Sequence, residues 1–117
     1  MKKFAILMCA VLGMVKSSFS LVANVGSTST VESVKAYDID QYQQRFIGNY
    51  DAGVWISGDG STDLDLYIYD GNGNLVCRSE ASGDDEYCVW KPIWTGSFTI
   101  RIKNRGSVWN QYTIIIR

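Results

Sequence analysis

Histidine is absent from the 117 residues, and proline occurs once, at Pro92. Without histidine there is no Ser-His or Cys-His nucleophile pair, no side chain that titrates near neutrality by default, and none of the usual nitrogen donor for zinc or copper. Acidic residues are missing after Glu86, whereas all twelve lie between Glu32 and Glu86. No apolar run is long enough to span a bilayer, the longest being Phe4 to Val15, and no segment beyond it repeats with the period of a helix. These absences disfavour histidine-based catalysis, a membrane span and a helical fold.

What is present begins with Met1-Lys2-Lys3 ahead of that apolar run, followed by Ser18-Phe19-Ser20 in the small-x-small pattern of a cleavage site. Residues 1–20 are therefore expected to be a secretory signal peptide, with the mature chain starting near Leu21 and lacking any further membrane span. Lys2, Lys3 and Lys16 leave with the leader, which moves the formal charge from −1 to near −4 and argues against nucleic acid as a partner. About one hundred residues remain, enough for one small domain. Lys91, Arg101, Lys103, Arg105 and Arg117 follow the last acid, so an acidic first half and a basic final third would attract one another across neighbouring strands. Cys77 and Cys88 survive cleavage in an oxidising compartment and are expected to form a disulfide between adjacent strands.

The most strongly patterned stretch is Gly58 to Val76. Leu64, Leu66 and Ile68 alternate with Asp63, Asp65, Tyr67 and Tyr69, the period of a strand with a dry and a wet face. Asp70-Gly71-Asn72-Gly73 then supplies turn residues tolerant of positive φ, and Leu75-Val76 opens a return strand, which specifies a hairpin. On either side lie further short strands: Arg45 to Ile47, Val54 to Ile56, Tyr87 to Trp90, Ser97 to Lys103 and Tyr112 to Ile116, each bounded by Gly, Asn, Asp or Pro. Residues 21–40 read as a flexible lead-in, within which Val31 to Tyr37 fits either an edge strand or a short helix. Strands at spacings near ten residues imply an all-β fold, a single small antiparallel β-sandwich over 41–117.

At this point a resemblance emerges. The series G-D-G-S-T-D-L-D-L-Y-I-Y-D-G-N-G-N-L-V, the run W-K-P-I-W-T-G-S-F-T-I-R-I-K-N from Trp90 to Asn104, and N-Q-Y-T-I at Asn110 to Ile114 resemble the bacterial pre-peptidase C-terminal domain family. That family is similar in fold to clostridial collagen-binding domains, and the resemblance spans about Asp38 to Arg117. It implies a jelly-roll-like sandwich without chemistry of its own, in an extracytoplasmic setting. In such proteins the domain usually follows a protease, and a stand-alone module is expected here.

Three groups of residues are candidates for function. Asp59, Asp63 and Asp65 offer hard oxygen donors of the kind calcium takes, and the related collagen-binding domains use calcium near their N-terminal linker, which draws in Asp38 and Asp40. The competing reading makes these carboxylates a solvated row paired with Arg101, Lys103 or Arg105. Trp55, Tyr67 and Tyr69 fall opposite the aliphatic faces and, with Arg101 and Lys103 beside them, are expected to form a contact surface. The sequence thus implies a secreted or periplasmic, non-enzymatic binding or accessory module for an extracellular polymer, whether protein fibre or glycan. The alternative is a structural, self-assembling or envelope-associated protein.

Overall fold

The structure, a computed structural model, describes residues 27–117; the expected leader lies outside them. Eight strands follow in order: β1 (Thr28–Val34), β2 (Ile39–Phe46), β3 (Ala52–Ser57), β4 (Leu64–Tyr69), β5 (Leu75–Ser79), β6 (Asp85–Trp90), β7 (Gly96–Asn104) and β8 (Asn110–Ile116). They form two four-stranded antiparallel sheets, ordered β1-β8-β3-β6 and β2-β7-β4-β5. Each chain crossing between the sheets places successive strands on opposite layers until the β4–β5 hairpin, the strand order of a jelly roll. The expected fold class is the observed one. Among the described residues no helix is long and apolar enough to cross a membrane.

Period-two patterning builds the core. Leu64, Leu66 and Ile68 of β4 and Phe98, Ile100 and Ile102 of β7 face Val54 and Ile56 of β3 and Ile114 and Ile116 of β8, all of them buried. Each such side chain contributes about 1.5–3 kcal/mol on leaving water. At one end, Phe46 and Phe98 pack edge-on against each other and Trp90 fills the same corner, 4.9 Å from Phe46 centroid to centroid. The β4–β5 hairpin closes as its turn residues require, with Gly73 at φ +84° and the Asp70 carboxylate accepting from the backbone N–H groups of Asn72 and Asn74 at 2.9 Å each.

Three expectations are revised. The flexible lead-in over 21–40 gives way at Thr28 to an edge strand, one of the two alternatives left open for Val31 to Tyr37, because β1 pairs along its length with β8 and brings Val34 into the core. Cys77 and Cys88 are bonded, but across the layers: β5 is the edge of one sheet and β6 the edge of the other, with the two Cα atoms 6.0 Å apart. The wet face of β4 is not uniformly wet, since Asp65 retains only 2% of its accessible surface.

Candidate functional site

The outer face of the β2-β7-β4-β5 sheet carries most of the residues expected to make contacts. Register sets Tyr67 opposite Arg101, Tyr69 opposite Thr99 and Asp65 opposite Lys103. The Arg101 guanidinium lies 5.4 Å from the Tyr69 ring centroid and donates through Nε to Gln41 Oε1 at 2.7 Å. The Tyr67 hydroxyl donates to Glu80 Oε2 at 2.5 Å. Desolvation and the carboxylates of Glu80 and Asp65 push its pKa far above the ordinary phenol value. Tyr67, Tyr69, Arg101 and Lys103 are thus brought onto one polar face, where Tyr67, Tyr69 and Arg101 are engaged with one another's neighbours.

Trp55 is on the other side of the molecule. It belongs to β3, in the β1-β8-β3-β6 sheet, and points away from the core flanked by Val54 and Ile56, so the expected surface of Trp55 with Tyr67 and Tyr69 does not exist as one face. Its cross-strand neighbours are apolar. Cross-strand register aligns Ile115, Trp55 and Tyr87 in one row, with Val89 opposite Gly53 in the next row and Val31 opposite Thr113. Tyr87, Val89 and Val31 keep 62%, 53% and 59% of their surface in solvent. The indole of Trp55 lies over Gly53, where a Cβ would meet the ring, and the Arg117 guanidinium sits 4.8 Å from its centroid. The alternation of Tyr87 and Val89 with Cys88 and Trp90 was the available signal for this face.

The expected metal residues also separate. Asp59 is occupied as a loop fastener: its carboxylate accepts from Ser61 N–H and Oγ and from Gln111 N–H, hydrogen bonds that hold its pKa below the usual carboxylate value. Asp63 and Asp65 instead meet Glu86 of β6, with one oxygen from each lying within 4.8 Å of the others. Arg105 Nη1 donates to Asp65 Oδ2 at 3.0 Å, the acid-to-base pairing expected between the two halves of the chain. The Ser79 hydroxyl donates to Glu86 Oε1. Burial raises the pKa of both Asp65 and Glu86, and the neighbouring Asp63 carboxylate adds to both shifts. Glu86 was not singled out from sequence, although it shares the inward parity of Cys88 and Trp90.

No family model and no curated protein sequence matches the chain. Among solved structures, the pre-peptidase C-terminal domain of a Bacillus anthracis collagenase is similar at a TM-score of 0.66 and 12% identity, over 86% of this chain and 92% of that one. PliG of Aeromonas hydrophila, a periplasmic inhibitor of g-type lysozyme, is similar at 0.59 and 13% identity, over 86% and 96% of the two chains. A Yersinia pseudotuberculosis-derived mitogen is similar at 0.56 and 14% identity, over 78% and 84%. At these identities the likeness is one of fold.

Proposed function

We propose that this protein is a non-catalytic binding module of the periplasm or extracellular space, related to pre-peptidase C-terminal domains, and that it engages a protein surface through the outer face of the β1-β8-β3-β6 sheet. The observation that carries the reading is the row of Ile115, Trp55 and Tyr87, flanked by Val89 and Val31 on a sheet face that no described residue covers as a further layer. Contiguous exposed apolar groups of this kind mark association surfaces, and aromatic residues are enriched at their centres. The aliphatic neighbours favour a protein over a glycan, because a sugar site needs hydrogen-bonding side chains beside its stacking ring. The disulfide between Cys77 and Cys88 fits an oxidising compartment. A lysozyme inhibitor of similar fold acts on a protein, which supports the same class of partner.

The test uses the mature protein in two assays, inhibition of g-type lysozyme and co-sedimentation with fibrillar collagen, with insoluble glycan as the contrasting probe. A Val89→Asp variant places a charge in the stripe without touching the core and is expected to abolish a protein-binding signal, whereas Tyr69→Ala on the opposite face leaves it intact. Retention on glycan alone, or a protein signal unchanged by Val89→Asp, overturns this reading. The self-assembly alternative draws on the same stripe: sedimentation velocity showing concentration-dependent association that Val89→Asp removes would favour it.

A further inference from the structure

We infer that Asp63, Asp65 and Glu86 form a divalent-cation site, selective for calcium, at the loop end of the sandwich where β4 begins beside β6. The inference is independent of the apolar sheet face. Asp65 and Glu86 are 2% and 3% exposed, and each buries one carboxylate oxygen that no hydrogen-bond donor reaches, Asp65 Oδ1 and Glu86 Oε2. Asp63 contributes a third such oxygen, Oδ1. A buried carboxylate oxygen without a donor costs far more than a solvated one, and proteins resolve that cost by protonation or by a cation. The three residues converge, with one carboxylate oxygen of each inside 4.8 Å of the other two.

Charge and size both point to the ion. Three carboxylates offset by the Arg105 guanidinium leave a deficit that one divalent cation neutralises. The donors are all hard oxygens, which select calcium or magnesium over zinc or copper. Calcium holds oxygens at about 2.3–2.6 Å, so ligands on opposite sides lie up to about 5 Å apart, whereas magnesium demands about 4 Å. All three ligand oxygens lie within 4.8 Å of one another, a spread that the wider shell of calcium accommodates as it stands. Backbone carbonyls and water would complete its shell, and a set of three carboxylates belongs with the weak extracellular calcium modules, with Kd of about 10⁻⁴–10⁻³ M. The site differs from the one expected from sequence: Glu86 enters it, and Asp59, already satisfied by Ser61 and Gln111, leaves it.

The probes are calcium chloride, with a chelator as reference, and terbium as a luminescent substitute. At calcium about ten times Kd the thermal midpoint of the mature, oxidised protein is expected to rise by roughly 6 to 11 °C. Glu86→Gln and Asp65→Asn are expected to remove the shift, and Asp59→Asn to keep it. Terbium should luminesce on excitation of Tyr67, whose hydroxyl lies 3.5 Å from Asp65 Oδ2, and calcium should quench that signal by displacement. Tyr67→Phe then dims the emission while leaving the calcium-induced shift, an arm that holds even if a carboxylate variant fails to fold. No shift and no luminescence with millimolar cation would overturn the inference, as would a shift that survives Glu86→Gln but disappears in Asp59→Asn.

Discussion

Asp40 and Asp65 are both buried carboxylates, and their surroundings differ in a way that sets what each can do. Tyr112 donates to Asp40 Oδ2 at 2.5 Å, and since that uses its one hydroxyl proton, the 2.5 Å contact with Tyr42 is a hydrogen bond donated by Tyr42. Tyr42 stands on β2 and Tyr112 on β8, so this chain of hydrogen bonds crosses from one sheet to the other through the core. Burial, and then the Asp40 charge, push both phenol pKa values well up, which keeps the protons on the hydroxyls at any ordinary pH. Tyr42→Phe deletes one neutral hydrogen bond and is expected to cost about 1 kcal/mol; Tyr112→Phe deletes that bond and the one to the carboxylate, and should cost about 2–3 kcal/mol. Chemical denaturation of the two variants checks the order. Equal costs would mean that the hydrogen bond from Tyr112 to Asp40 adds nothing. Asp65, by contrast, has Arg105 on one oxygen and no donor on the other, the arrangement of a ligand rather than of a core strut.

Turns and strands show where local pattern decides structure and where it does not. The Asp70 turn was legible because Asp-Gly-Asn-Gly needs no distant partner: its own backbone N–H groups satisfy the carboxylate and lower its pKa, as Ser61 and Gln111 do for Asp59. A carboxylate whose pKa is depressed on folding adds stability that is complete above its unfolded value near about 4 and fades as pH falls through its folded value. Asp59 and Asp70 therefore contribute a loss of thermal stability that sets in below about pH 4, and Asp70→Ala should both lower the midpoint at neutral pH and flatten that acid limb. An acid limb unchanged in the variant would remove Asp70 from it. β4, β7 and β8 were equally legible, since most of their inward residues are apolar and alternate with polar ones. β2 was blurred because its inward positions include Asp40 and Gln44, and β1 was left undecided between strand and helix, with its start unseen, because a Ser/Thr run becomes a strand only when β8 lies beside it. Glu86 and the burial of Asp65 were beyond a single-strand reading for the same reason: what covers them comes from β5, β6 and the β7–β8 turn. Asn110 shows that dependence, its amide donating to Thr62 Oγ1 and Asp84 Oδ2 while its Oδ1 accepts from Asp59 N–H, so one buried side chain gathers two remote loops.

At the scale of the molecule, two sheets share one core, and the covalent tie between them sits where the packing is weakest. β5 is an edge strand with mostly exposed side chains, paired only to β4 and with a register irregularity at Ile68/Tyr69. Cys77 links it to the fully buried Cys88 on β6, the opposite edge strand. Two physical effects of that bond are separable. Restricting the unfolded chain over a loop of this length is worth roughly 3 kcal/mol and acts on every residue whose exchange needs global unfolding. Pinning an edge strand acts on local opening, and so on that strand alone. Hydrogen exchange of the Cys77→Ser/Cys88→Ser variant distinguishes them. Amides of Leu75–Ser79 are expected to lose more protection than those of β7 and β8, because β5 without its tie holds few buried contacts, while Phe98, Ile100 and Ile102 remain anchored on both sides by β2 and β4. An equal loss in all three strands would show that the bond works through the unfolded chain only. In that case the β5 edge, and with it the Ser79 hydroxyl that holds Glu86, would be as firmly held without the bond as with it.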